Sequence, residues 1–238
     1  MKNLVLLFTF LALTSVVKAQ KDTSRFSNWS FEVFYSPNVS YRILAGSESE
    51  KWHRENRNSS EITRLGHSRK ILAVRRLKGG WSFGTGLTSS RIGFKTKATA
   101  LVWITPDPNY ETEIRSTSEY SYIGIPILAY YKLGENNRWS TELIFGTSIN
   151  LYNGKTVISE IKTNDVWISY PNNGYTYSFF NLFGHIGIGT SYSLTRHWLL
   201  KTNLNLNQSF TSTNNLSDTK EYLNFLAIDI GVNYTIRR

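Results

Sequence analysis

Trp139-Ser-Thr-Glu-Leu-Ile-Phe-Gly-Thr-Ser-Ile-Asn-Leu-Tyr152 is the stretch whose reading decides the fold. Trp139, Thr141, Leu143, Phe145, Thr147, Ile149 and Leu151 fall on one parity, and Ser140, Glu142, Gly146, Ser148 and Asn150 on the other. That is the period of two of a strand with one greasy and one hydrophilic face. Before it, Tyr120 to Leu133 reads as a second strand, and Gly134-Glu-Asn-Asn-Arg138 as the turn joining them. Both arms exceed the ~9–11 residues that carry a tilted strand across a bilayer, and aromatic residues stand near both ends. The pair is therefore read as one hairpin of a transmembrane barrel.

Composition narrows the alternatives. Residues 1–19 hold an early lysine, an apolar run from Leu4 to Leu13, and Val17 and Ala19 at cleavage spacing. Together they describe a signal peptide too short to span as a helix, followed by one domain over 20–238. Loss of Lys2 and Lys18 lowers the formal charge from +10 to +8. No later segment is continuously apolar enough for a spanning helix, so a membrane protein here is built from strands. There is no cysteine, which excludes disulfides, thiolate metal sites and a cysteine nucleophile. The 14 Tyr, 13 Phe and 7 Trp suit interfacial girdles better than a soluble core.

Outward from the hairpin, the same alternation recurs. Trp29 to Ile43 forms a first strand, where Pro37 predicts a bulge or a missing ladder bond. Gly46 to Gly66 reads as a charged loop with a short helical turn begun by an Asn58/Glu61 capping box. A second strand spans about 68–77 despite its paired Arg69-Lys70 and Arg75-Arg76. Lys78-Gly79-Gly80 turns into a strand from Trp81 that runs on toward Ile104, with a tip at Thr105-Pro-Asp-Pro-Asn109 and a return from Tyr110. Asn153 to Thr176 reads as a long loop. Three more strands follow, about Asn181–Leu194, Trp198–Phe210 and Tyr222–Ile236, with apolar residues outward and Asn, Ser, Gly, Lys201 and Asp229 inward. The expected fold is all-β: an eight-stranded antiparallel up-and-down barrel in which short turns alternate with long loops. Outer-membrane barrels keep their turns in the periplasm and their loops outside.

Tyr122-Ile-Gly-Ile-Pro-Ile-Leu-Ala-Tyr-Tyr-Lys-Leu133 resembles the Ile-Pro strand of the small PorT-like outer-membrane barrels of Bacteroidota. The strand from Trp81 to Leu87, with Gly84 and Gly86, resembles the one after that family's first periplasmic turn. Two features depart from the family. Its early Gly-x-Lys-x-Gly strand is missing from Trp29–Ile43, and the chain ends Tyr234-Thr-Ile-Arg-Arg238 instead of on an aromatic residue. The resemblance implies an outer-membrane barrel fold and, for part of the family, an accessory role beside a secretion apparatus.

Glu32, Lys132, Glu142, Lys201 and Asp229 share the inward parity. An eight-stranded bore is just wide enough to be filled by side chains, so these charges are expected to pair as a plug. Lys51, Arg54, Arg57 and Arg64, with Arg69 and Lys70, are candidate surface contacts for phosphates of lipopolysaccharide, balanced against loop acids Glu48, Glu50, Glu55 and Glu61. His53, His67, His185 and His197 show no ligand spacing. His185 faces inward and could serve a hydrolase with Ser191 or Ser193. No catalytic residue, cofactor or metal is expected, and nucleic acid is an unsuitable partner for an exported barrel.

The reading is thus a non-enzymatic protein of the cell outer membrane, structural or accessory. It would contact membrane lipid and an envelope or secretion-apparatus protein through its long loops. The rivals are an outer-leaflet lipid-modifying enzyme, a narrow solute channel and a soluble lipocalin-like carrier with the parities exchanged. Spin labels separate the last: labels at Leu143 and Leu204 will report lipid-dissolved oxygen and one at Asn205 will not. The reverse pattern fits only the carrier.

Overall fold

A computed structural model describes residues 28–104, 111–136, 138–173, 178–214 and 219–236. The expected signal peptide and the Thr105–Asn109 tip lie outside the described residues. The elements are β1 (Trp29–Ala45), α1 (Lys51–Ser60), β2 (Glu61–Arg76), β3 (Trp81–Thr96), β4 (Thr99–Ala100), β5 (Glu113–Asn136), β6 (Trp139–Thr163), β7 (Val166–Asn173), β8 (Phe180–Ser193), β9 (Trp198–Ser209) and β10 (Lys220–Thr235).

Eight long strands close a ring in the order β1-β2-β3-β5-β6-β8-β9-β10, all neighbours antiparallel. The ring shuts where β1 meets β10, from Ser30 opposite Thr235 to Ala45 opposite Lys220. No edge is left inside the bilayer, which is what lets strands cross it. β1, β9 and β10 keep an in–out alternation that puts Phe31, Val33, Leu200, Leu204, Ile228 and Ile230 on the exposed outer wall. On a water-facing wall so much apolar surface would be prohibitive, so the exchanged parities of a lipocalin-like carrier do not describe this molecule. Trp81, Tyr131, Trp139, Tyr192, Trp198 and Tyr234 gather near the end with the short turns. Trp139 packs at a tilt against Tyr192 and Trp198 against Tyr234, both with ring centroids 4.9 Å apart. This is an aromatic girdle at the periplasmic interface.

Prolines cost pairing without shifting register. Between β1 and β10 the ladder passes from Tyr35–Ile230 to Asn38–Ala227 with no pair at Ser36 or Pro37, and the phase is unchanged. Between β3 and β5 it passes from Thr85–Ile127 to Thr88–Gly124 around Pro126 in the same way. Each ring nitrogen lacks a donor, so each proline can be paired on one side only.

Three expectations for the loops are corrected. Residues 153–163, read as loop, continue β6, and β5–β6 pairing persists to Glu113 opposite Lys162. A two-residue turn at Asn164 and Asp165, with φ of 49° and 62°, sends the chain back as β7. Positive φ at both positions is the signature of the hairpin turn whose twist matches its strands. Next, β3 ends at Thr96 instead of running to Ile104, and only Thr99–Ala100 rejoins, on β5. Finally, the helix is Lys51–Ser60, with no capping box at Asn58, and Gly66 lies within β2. Ser59 and Ser60 donate back to the carbonyls of Asn56 and Arg57 and end the helix. Glu61 begins the next strand, its carboxylate accepting from Arg42 on the neighbouring β1.

β2 and β3 approach so closely at Gly86 that an added Cβ would lie 1.9 Å from the Ile71 carbonyl oxygen. We expect Gly86→Ala to lower the unfolding free energy by about 1–3 kcal/mol, as overpacking does. A urea titration followed by heat-modifiable gel mobility measures it, and an unchanged midpoint would show that the two strands can part without cost.

Candidate functional site

The bore is filled in layers. Nearest the periplasm, Lys201 reaches from β9 to Glu32 on β1 at 2.8 Å and to Glu142 on β6 at 2.5 Å. Asn233 donates to the same Glu32 oxygen at 2.7 Å, and the ammonium lies 4.9 Å from the ring centre of Tyr130. Above this comes an apolar layer of Phe34, Leu72, Val74, Leu128, Tyr130 and Ile144. Lys70 on β2 then meets both Asp229 oxygens at 2.9 Å, with Asn205 donating to Asp229 at 2.7 Å. A second apolar layer holds Ile92, Phe94, Tyr120, Tyr122, Phe183, Leu223, Phe225 and Ala227. At the extracellular mouth Arg42 and Arg57 both reach Glu61 and Glu221, and Arg42 lies over Phe94 at 3.7 Å.

Of the five charges expected in the bore, four lie in these layers. Lys132 does not. The β5–β6 ladder is irregular between Lys132 and Gly134, the end of β5 is exposed, and Lys132 pairs with Glu135 at the periplasmic mouth. Glu142, its ladder partner, turns instead to Lys201. Lys70 takes a place the sequence reading gave to the surface. The signal was there: Ile71 must face lipid, so its neighbour must face the bore.

The basic residues proposed for surface contact also separate. Arg57 is tied to Glu221 at 3.0 Å, Arg64 is paired with Glu119, and Arg54 donates to the Ser47 carbonyl. Lys51 stays largely exposed, 3.9 Å from Glu48. Their charge thus goes mainly into fastening α1 and the mouth.

His185 does not meet Ser191, which pairs with Ser140 at 2.7 Å. Its Nε2 lies 2.7 Å from Ser148 Oγ, and its Nδ1 faces the Asn207 side-chain oxygen. A hydroxyl, an imidazole and an orienting amide in sequence have the order of a nucleophile, base and positioner. Yet Ser148 is 2% exposed, and the cavity between the layers measures about 30 Å³. That is room for about one water and not for an ester. Among the described residues no group of three or more His, Asp or Glu could hold a metal ion. Toward the periplasm, a larger cavity of about 250 Å³ opens below Lys201 and Tyr130.

Beyond Leu151, where its pairing with β8 stops, β6 rises between β5 and β7, while β5 stays paired to β3 as far as Thr117 and then to β4. One side carries Arg115 bonded to Glu160 at 2.7 Å and lying over Trp167 at 4.1 Å, with Lys162 bonded to Glu113 at 3.2 Å. The bond from Arg115 holds the Glu160 carboxyl below the usual carboxylate range. The other side carries Ile161, Val166, Ile168 and Tyr170, the last three exposed.

No protein-family model and no characterised protein sequence matches this chain. Solved structures similar to it include Neisserial surface protein A, 12% identical over 87% of this chain and 97% of that one, with a TM-score of 0.46. OprG of Pseudomonas aeruginosa is 8% identical over 91% and 100%, with a TM-score of 0.47. The Escherichia coli outer membrane protease OmpT is 10% identical over 89% and 97%, also at 0.47. The ring of strands and its apolar wall make this chain an outer-membrane-type barrel.

Removing one partner of a buried pair leaves the other charge stranded, whereas removing both does not. Lys70→Leu alone should cost about 3–5 kcal/mol in a urea titration, and Lys70→Leu with Asp229→Leu should recover most of that. Equal loss in the single and double variants would show that Asp229 is held by its asparagines and not by the lysine.

Proposed function

We propose that the chain is a non-enzymatic outer-membrane protein that works through the sheet it raises above the membrane. One observation carries this reading: the bore is packed with paired charges and apolar layers, while β5, β6 and β7 project an ordered surface with Val166, Ile168 and Tyr170 exposed. Residues that are costly to expose and are held on rigid strands suit contact with another envelope protein. A secretion-accessory role, implied by the resemblance of Tyr122–Leu133 to PorT-like barrels, is the form of contact we favour. A solute channel is disfavoured by the salt-bridged layers. A hydrolase is disfavoured by the burial of Ser148.

The test is a photoreactive residue placed at Val166, with crosslinking in native membranes, first alone and then combined with Ile168→Asp and Tyr170→Asp. We expect a specific envelope protein on the first and its loss on the second, with the heat-modifiable barrel intact in both. Crosslinks to lipid alone, a stepwise conductance in planar bilayers, or altered lipid A in cells carrying the protein would each displace the proposal.

A further inference from the structure

Toward the extracellular ends of β2 and β3 the outer wall departs from its apolar character. Climbing β2 from the periplasmic side, the outward residues are Arg75, Ala73, Ile71, Arg69 and His67, and on β3 they are Phe83, Thr85, Leu87, Ser89 and Arg91. Arg69 stands opposite Ser89, His67 opposite Arg91, and Arg91 opposite Ser121 on β5. Directly opposed side chains start ~5 Å apart and diagonal ones ~7–8 Å apart. Arg69 and Arg91 are such a diagonal pair, spaced for two guanidinium groups to close on one tetrahedral anion.

The pair lacks an internal counter-charge to match it. Arg69 forms no ion pair or hydrogen bond among the described residues. Arg91 is 58% exposed at its side chain and lies 3.8 Å from Glu119, the carboxylate that Arg64 already engages more closely. His67 stacks on Tyr35 at 6.0 Å. Lys95 continues the basic row two residues past Gly93 and is exposed. Uncompensated arginines on a lipid-facing wall are unfavourable, least so near the interface, and diagonal like charges repel. A phosphate shared between them removes both penalties through charge-assisted, two-pronged hydrogen bonds. Directly below lie Ile71, Leu87 and Ile123, all well exposed, on the same strands. Cations above an apolar track describe the two ends of an amphiphile.

We propose that Arg69 and Arg91, flanked by His67 and Lys95, bind the phosphate headgroup of an outer-leaflet lipid. Its acyl chains lie along Ile71, Leu87 and Ile123, and the hydroxyls of Ser89 and Ser121 serve the remaining phosphate oxygens. The site is separate from the loop cations Lys51, Arg54, Arg57 and Arg64 and from the projecting sheet, and it rests on the membrane reading of the barrel.

The experiment folds the full chain into nanodiscs containing a minor fraction of phosphorylated lipid A, or of the same lipid dephosphorylated, and reads retained lipid by native mass spectrometry. The wild-type protein should retain the phosphorylated lipid preferentially. Arg69→Gln with Arg91→Gln should lower that retention about tenfold or more, given two lost charged contacts. Arg69→Lys with Arg91→Lys should keep part of it, and Lys51→Gln with Arg54→Gln should leave it unchanged. Equal retention of both lipids by the wild type, or no loss in the glutamine variant, overturns the site. Displacement of the lipid by excess inorganic phosphate overturns a lipid source for the anion. Folding is scored separately from the heat-modifiable band, so failure of the membrane reading shows as an unfolded chain. Failure of the site shows as a folded barrel without preference for phosphate.

Discussion

Everything in this molecule depends on the β1–β10 ladder. In hydrocarbon a sheet edge has nowhere to place its amides and carbonyls, so eight strands are stable there only when the first and last find each other. Ser30 to Ala45 meets Thr235 to Lys220 over the length of both strands, with one interruption at Ser36 and Pro37. Because pairing has a period of two, that closure also fixes which parity of every other strand faces lipid.

Once the outer wall is committed to lipid, the bore must solve the opposite problem. Apart from those beside the cavity at the periplasmic end, its polar groups are cut off from water and must mostly satisfy one another. The chain does so with lysines and arginines set between carboxylates, braced by asparagines, and separated by rings of Phe, Tyr and Leu. Glu32 is 1% exposed and Lys201 6%, so their mutual attraction acts in a medium that screens it little. Charged layers alone would cost too much desolvation, and apolar layers alone would not fix a register. Stacked alternately, they make a column that is dense and specific.

Much of this was legible in the sequence because a lipid-facing strand writes its orientation in every second residue. β9 is the clearest case, since Trp198, Leu200, Leu204 and Leu206 leave no choice for Lys201, Asn203, Asn205 and Asn207. The inward parity was harder to read. Phe34, Ile144, Phe183 and Phe225 are apolar yet face the bore, and only the ring geometry shows why: they fill space between ion pairs. Lys132 was misplaced because a ladder irregularity cannot be seen in residue parity. The sheet above the barrel was taken for a loop because its polar stretches lack a lipid-facing signature, although Asn164-Asp165 between two alternating runs carried the turn chemistry. The joining of His185 to Ser148 and Asn207 comes from three different strands, and no local spacing could announce it.

β6 is a single strand of 25 residues, from the periplasmic turn to the tip of the sheet. A surface carried on such a strand is joined to the barrel without a loop, through one bulge at Asn153 and Gly154. Its height over the lipid headgroups and its compass direction around the barrel are inherited from the transmembrane wall. Whatever docks there meets a target already held still, and little of the encounter is lost to ordering a floppy loop. The same continuity runs in reverse: Ile168 pairs with Ile161 on the strand that starts at Trp139, on the far side of the membrane.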